Sequence, residues 1–368
     1  MTGAEEEILP AGLTTGIGMT SWDGSLGLRA VPLFLKSLKM AVGLCCALLL
    51  ACTPAAPPDA PNVVLVTLDT VRADYLGLYG HPRETSPELD EFARGAFVFE
   101  QAIAQSAVTP VSHASILTGL RPYQHGLRSL HGGANFALPD EQQTLAEMLA
   151  ARGYATAAFV SAFTATRYYG LHQGFESWDQ AFAGNDGAGR VNEAGIVNTG
   201  DAQRTAVETT RRALKWLEAR KPGPFFLWLH YFDAHDPDVI APAEVQARFP
   251  PATRNRHDLL RAAYEGEIAV IDTELGKLFA ALDAAGVREQ TLIAIVGDHG
   301  QGMGDHGWWG HGILYQEQLR VPFILSLPGL GGGKRIHSLV RTTDPRWCGP
   351  PIWCRPSSRP SESTHPRA

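Results

Sequence analysis

Asn62-Val63-Val64-Leu65-Val66-Thr67-Leu68 is a short, β-branched run that breaks off at an acid, Asp69. An apolar stretch of this length without polar alternation reads as a strand buried on both faces. The same grammar recurs twice. Phe225-Phe226-Leu227-Trp228-Leu229 leads into His230, Asp233 and His235, and Thr291-Leu292-Ile293-Ala294-Ile295-Val296-Gly297 leads into Asp298 and His299. Helical patterns lie between them: a segment that Ser86 caps and Pro87 starts, then 144–151 stopped by Gly153, 201–220 and 259–285. Strands alternating with helices predict an α/β fold, a mostly parallel central sheet with helices on both faces. Ligands of such sheets bind beyond the carboxyl ends of the strands, so the three polar ends are expected to converge on one edge.

The chain has 368 residues, of which 45% are hydrophobic, enough for a sizeable core. A formal charge of -7 gives no basic stripe for nucleic acid, so a small ligand is expected and nucleic acid is not. The five cysteines, Cys45, Cys46, Cys52, Cys348 and Cys354, fall near the two ends, and the main domain needs neither a disulfide nor a thiol nucleophile.

Lys36 and Lys39 precede an apolar run from Met40 to Ala51 that is too short to span a bilayer as a helix, the pattern of an export signal. Leu49-Leu50-Ala51-Cys52 followed by a Pro/Ala stretch resembles a bacterial lipoprotein signal. It implies a periplasmic or cell-surface protein held to the membrane only by a lipid at Cys52; a plain secretory signal is the alternative. The expected organisation is an extension and signal at 1–52, a linker at 53–61, a catalytic domain at 62–343 and a disordered or aberrant tail at 344–368. The Gly/Asn-rich stretch 180–200 reads as a loop at the pocket rim.

Asp69, Asp298 and His299 offer two hard oxygens and an imidazole, a set suited to one divalent ion, Zn or Mn before Ca or Mg. Singly, each has a plainer use as a turn or helix cap. Ser106 to Gly119 reads as a loop entering a short helix with Thr109 near its N-terminus. There a hydroxyl and the helix dipole would face an anionic group, unless Thr109 merely caps the helix.

Four ordered segments carry a family resemblance: 66–74, 112–119, 230–237 and 297–302. Together they resemble the sulfatase family of the alkaline-phosphatase superfamily, over about residues 61–343. The resemblance implies an alkaline-phosphatase-like fold and a hydrolase of sulfuric or phosphoric esters. It implies metal ligation by Asp69, Thr109, Asp298 and His299, with Thr109 in the nucleophile slot. His235 and His311 fall where the family places groups that bind the transferred anion or protonate the leaving oxygen, and His113, within the nucleophile motif, is expected with them among the catalytic residues. The substrate implied is a small-molecule or glycan ester.

The departures are as specific as the matches. Sulfatases typically place Cys or Ser in the nucleophile slot, with Pro two and Arg four residues later, and convert it to formylglycine; here the positions read Thr109, Val111 and His113, and no formylglycine is expected. Thr with Asp, Asp and His also resembles the metal sets of phosphoethanolamine transferases and lipoteichoic acid synthases, so a phosphodiesterase or phosphotransferase is a second reading. Leu339-Val340-Arg341-Thr342-Thr343-Asp344 resembles the point where sulfatases continue into a small second sheet domain. Its replacement by Pro/Ser/Arg-rich sequence motivates a third reading, an anchored binding protein without catalysis.

Overall fold

The structure, a computed structural model, describes residues 60–128, 136–182, 190–191, 197–198, 203–235 and 241–343. The export segment, Cys52, the linker up to 59, most of the 180–200 loop and the tail 344–368 lie outside the described residues.

Among the described residues eight strands form the central sheet: β1 (Asn62–Leu68), β2 (Phe97–Phe99), β3 (Ala155–Val160), β4 (Ser177–Asp179), β5 (Phe225–Tyr231), β6 (Thr291–Gly297), β7 (Phe323–Ser326) and β8 (Lys334–Ile336). They lie in the order β8-β2-β7-β6-β1-β5-β3-β4. The three runs read from sequence are the centre of this sheet and are mutually parallel; Thr67 stands opposite His230 on one side and Val296 on the other. Of the eight, only β7 runs against the rest.

Burial on two sides explains why β1 carries no polar alternation. Val64, Val66 and Leu68 enter one core with α1 (Pro87–Ala93), α4 (Ala206–Ala219) and α5 (Arg256–Ala284). Val63 and Leu65 enter a second with α2 (Thr109–Thr118) and α3 (Leu145–Ala150). Each face therefore needs apolar residues, and a polar substitution at any of these positions would bury an unpaired group.

Helix ends follow local chemistry. Thr144 and Glu147 form a capping box at α3. The expected start at 259 moves up to Arg256, because Asn255 accepts the Asp258 N–H at 2.8 Å. The expected start at 201 moves down to Ala206, after the cap Thr205. Ser86 does not cap α1 with its side chain; the N–H groups of Glu88 and Leu89 donate instead to the Asp272 carboxylate of α5.

Candidate metal and nucleophile site

Asp69, Asp298 and His299 do converge, although 229 positions separate the first pair in sequence. One donor atom of each lies within 4.8 Å of the others, and all three side chains are fully buried. The chain leaves β1 through Thr70, whose φ of 57° is in the left-handed region that a β-branched residue disfavours. Surrounding bonds hold it there. The Thr70 N–H donates to Asp298 Oδ1 at 3.1 Å, and the Tyr264 hydroxyl donates to the Thr70 carbonyl at 2.7 Å. Strain of this kind persists where neighbours over-determine the backbone, and here it aims Asp69 at Asp298.

Each carboxylate is half satisfied. Asp298 Oδ1 accepts the N–H groups of Thr70 and His299, the latter at 2.6 Å, whereas Asp298 Oδ2 has no hydrogen-bond partner among the described residues. Asp69 Oδ2 accepts from His230 Nε2 at 3.1 Å, and Asp69 Oδ1, on the Thr109 side, meets the distance and angle of no hydrogen bond among the described residues. Burial pushes both carboxyls well above the usual range. The Thr109 hydroxyl opposes that rise at Asp69, while the neighbouring Asp69 charge adds to it at Asp298. Two neighbouring buried carboxylates, each with an oxygen that lacks a hydrogen-bond partner among the described residues, are an arrangement that a divalent cation relieves.

The histidines have fixed tautomers. His299 Nδ1–H donates to the Gly300 carbonyl at 3.0 Å, leaving the Nε2 lone pair toward the site, and burial holds this imidazole neutral. His230 Nδ1 accepts the Ser161 N–H at 3.2 Å, so its Nε2–H is the donor to Asp69. Asp69, Asp298 and His299 thus offer anionic oxygens and a free imidazole nitrogen, which suits the ion expected from sequence.

Thr109 is the first residue of α2, after Val108 in the capping position, and its hydroxyl does not cap the helix. Thr109 Oγ1 lies 3.2 Å from His299 Nε2, at the positive end of a helix dipole. The Ser112 hydroxyl ties α2 to the opposite loop, donating to the Asp298 carbonyl at 2.6 Å.

His113 stands behind this group, fully buried. Its Nδ1–H donates to the Thr109 carbonyl at 2.8 Å, and Nε2 accepts from the Thr67 hydroxyl at 3.0 Å, which in turn accepts from Trp228 Nε1 at 3.0 Å. Every polar atom in that chain has a partner, and its effect is to fix Thr109.

His235 and His311 meet in front, with Nε2 atoms 3.0 Å apart, and the His311 ring centroid is 4.4 Å from that of His299. Arg72 clamps Asp74 with two nitrogens and Asp305 with a third, bracing the loop beyond β6.

A family model for sulfatases matches residues 61–344. The chain belongs to the sulfatase family. It is 27% identical to iduronate 2-sulfatase of Homo sapiens over 339 residues, covering 74% of this chain and 60% of that protein. It is 26% identical to an ulvan-active sulfatase of Formosa agariphila, covering 78% and 60%. It spans about three-fifths of the length of these relatives. Among solved structures, a phosphonate monoester hydrolase of Agrobacterium radiobacter superposes with a TM-score of 0.65 at 21% identity, over 78% of this chain and 73% of that one, a likeness of fold. Sulfatases are metal-dependent, and the Asp69, Asp298 and His299 group is this member's candidate cation site.

His230, which the sequence places only at the polar end of its strand and to which it assigns no site role, holds Asp69 from the neighbouring strand. Its signal was a lone histidine closing an otherwise apolar strand whose last residues pair with those of β1.

Proposed function

We propose that this sulfatase-family protein hydrolyses sulfuric or phosphoric monoesters with Thr109 as the nucleophile. The observation that carries the reading is the position of Thr109 Oγ1, at a helix N-terminus and 3.2 Å from a candidate metal ligand. Bound by Asp69, Asp298 and His299, a divalent cation would supply Lewis-acid stabilisation of the transferred group's charge and favour ionisation of the Thr109 hydroxyl.

The remaining work falls to side chains. A bond forms from Thr109 Oγ1 to the central sulfur or phosphorus while the bond to the alcohol oxygen breaks on the opposite side. His311 Nδ1 lies 2.9 Å from the Ala107 carbonyl, which can only accept, so the proton is on Nδ1 and Nε2 accepts. His235 Nε2 must then be the donor within the pair. On taking the proton that Thr109 loses, this neutral pair carries a single imidazolium charge, and that imidazolium gives the proton to the departing alcohol oxygen, which returns the pair to neutrality. Water completes the cycle by the reverse exchange.

Thr109 itself favours phosphoric over sulfuric esters. A threonine cannot be converted to an aldehyde, so a sulfated Thr109 must be cleared by attack on sulfur, whereas a phosphorylated one yields more readily to water. Export and a lipid at Cys52 complete the proposal, on the signal-like pattern of residues 36–52. The test is hydrolysis of paired nitrophenyl sulfate, phosphate monoester and phosphodiester after loading with Mn, Zn, Ca or Mg. Phosphate-preferring cleavage lost in Thr109→Ala supports the reading; cleavage retained in that variant overturns it.

A further inference from the structure

Tyr264 lies on α5, 194 positions from the strained residue Thr70, and is buried. Its hydroxyl bridges two backbone groups on either side of Val71. The Arg72 N–H donates to it at 2.9 Å, and it donates to the Thr70 carbonyl at 2.7 Å. With its acceptor role taken by Arg72, the phenol has its own proton for Thr70, and burial pushes its pKa up, so it stays a donor. Tyr75 packs edge-on against the ring with centroids 4.9 Å apart. From the same residue the Thr70 N–H reaches Asp298 Oδ1, and the Thr70 hydroxyl donates to the Asp69 carbonyl at 2.8 Å. Thr70 thus joins Tyr264 to both acids of the site, through a backbone conformation that a β-branched residue does not hold unaided.

From this geometry we propose that Tyr264 is a positioning residue for the cation: its hydroxyl keeps Thr70 left-handed, which turns the Thr70 N–H onto Asp298 Oδ1 and leaves Asp298 Oδ2 for the ion. The inference rests on the reading of Asp69, Asp298 and His299 as the metal site. Among the described residues the Tyr264 hydroxyl bonds to backbone and to no side chain of that site. Without it, the Thr70 carbonyl is buried with no donor, and Thr70 relaxes toward negative φ, where its N–H leaves Asp298. Affinity for the cation then falls with the fraction of molecules still in the left-handed form. The penalty on a left-handed threonine puts that loss at about tenfold.

Titration calorimetry of Mn²⁺ into the full chain tests this in a double-mutant cycle of Tyr264→Phe with Thr70→Gly, because glycine takes positive φ without steric cost. Tyr264→Phe should weaken binding about tenfold when residue 70 is threonine and no more than about threefold when it is glycine. A Tyr264→Phe protein that melts earlier but binds Mn²⁺ as the wild type does overturns the proposal, as does an equal loss in both backgrounds. Should Tyr264→Phe not fold, the wild type decides. By reciprocity Mn²⁺ must slow amide hydrogen exchange at Arg72, whose N–H Tyr264 holds, and unchanged exchange overturns the proposal. A wild-type chain that binds neither Mn²⁺ nor Zn²⁺ would remove the metal reading and this inference with it, whereas normal wild-type binding with unaltered variants removes the inference alone.

Discussion

Asp69 and Asp233 are two carboxylates buried just past the carboxyl ends of adjacent parallel strands, and burial raises the pKa of both, that of Asp233 to about 6. Their use differs entirely. Both oxygens of Asp233 lie within 2.9 Å of the N–H of Ala206, the first residue of α4, so this acid closes a helix end. Asp69 spends one oxygen on His230 and leaves the other without a hydrogen-bond partner among the described residues, in a group with Asp298 and His299. Position, burial and pKa direction do not separate a structural acid from a candidate metal ligand here; hydrogen-bond accounting does.

The most severe way to break this contrast is Asp298→Asn. It removes half of the unpaired anionic pair, so kcat/KM should fall by more than about a thousandfold, a loss of several kcal/mol of transition-state stabilisation. Without metal the variant should unfold at the same temperature as the wild type or above it, because a repulsion is removed. Saturating Mn or Zn, at about a hundred times Kd, should stabilise the wild type by about 3 kcal/mol and leave the variant unmoved. An equal metal-induced rise in Tm in both proteins would mean that the bare oxygens are not ligands.

A satisfied group should instead report on folding. The His125 ring is held neutral at both nitrogens, accepting from the Leu127 N–H and donating to Ser115, and burial, aided by Arg128, lowers its pKa to about 4. The unfolded chain, with histidine near 6.5, binds more protons between these values, so stability is present above about pH 6.5 and lost as pH falls toward 4, by roughly 2–3 kcal/mol. Denaturant titrations of wild type and His125→Gln across that range check the sign. A wild type whose stability stays flat would contradict it.

Asp233→Ala should cost about 1–2 kcal/mol in stability by uncapping α4 while kcat changes by no more than a few-fold. A large kcat loss at unchanged stability would erase the distinction between the two acids. The smallest effect is expected at Thr67→Val, which cuts the chain from Trp228 to His113 and leaves the Thr109 carbonyl contact in place. Stability should drop by about 1–2 kcal/mol with KM unchanged. A change in KM would place Thr67 nearer the substrate than its contacts do.

What was legible in sequence follows the same division. Runs buried on both faces announce themselves, so β1, β5 and β6 and the acids and histidine at their ends were readable, and with them the α/β fold. The strands β2, β7 and β8 were not, because runs of three or four residues carry too little periodicity and are specified by pairing with distant partners. Among site residues, Thr109 was placed by its motif, but its freedom from capping emerges only when His299 arrives from the other half of the chain. His113 lay in the motif too, yet its role behind Thr109 depends on Thr67 and Trp228, which are neighbours only in the sheet.

In the proposed reaction Thr109 bonds covalently to the transferred group. Acid-quenched turnover of a metal-loaded sample, followed by proteolysis and mass spectrometry, tests it directly. A phosphoryl or sulfuryl adduct on Thr109, absent in Thr109→Ala, is the expected result; rapid turnover with no adduct under burst conditions, or an adduct on another residue, would rule Thr109 out as the nucleophile.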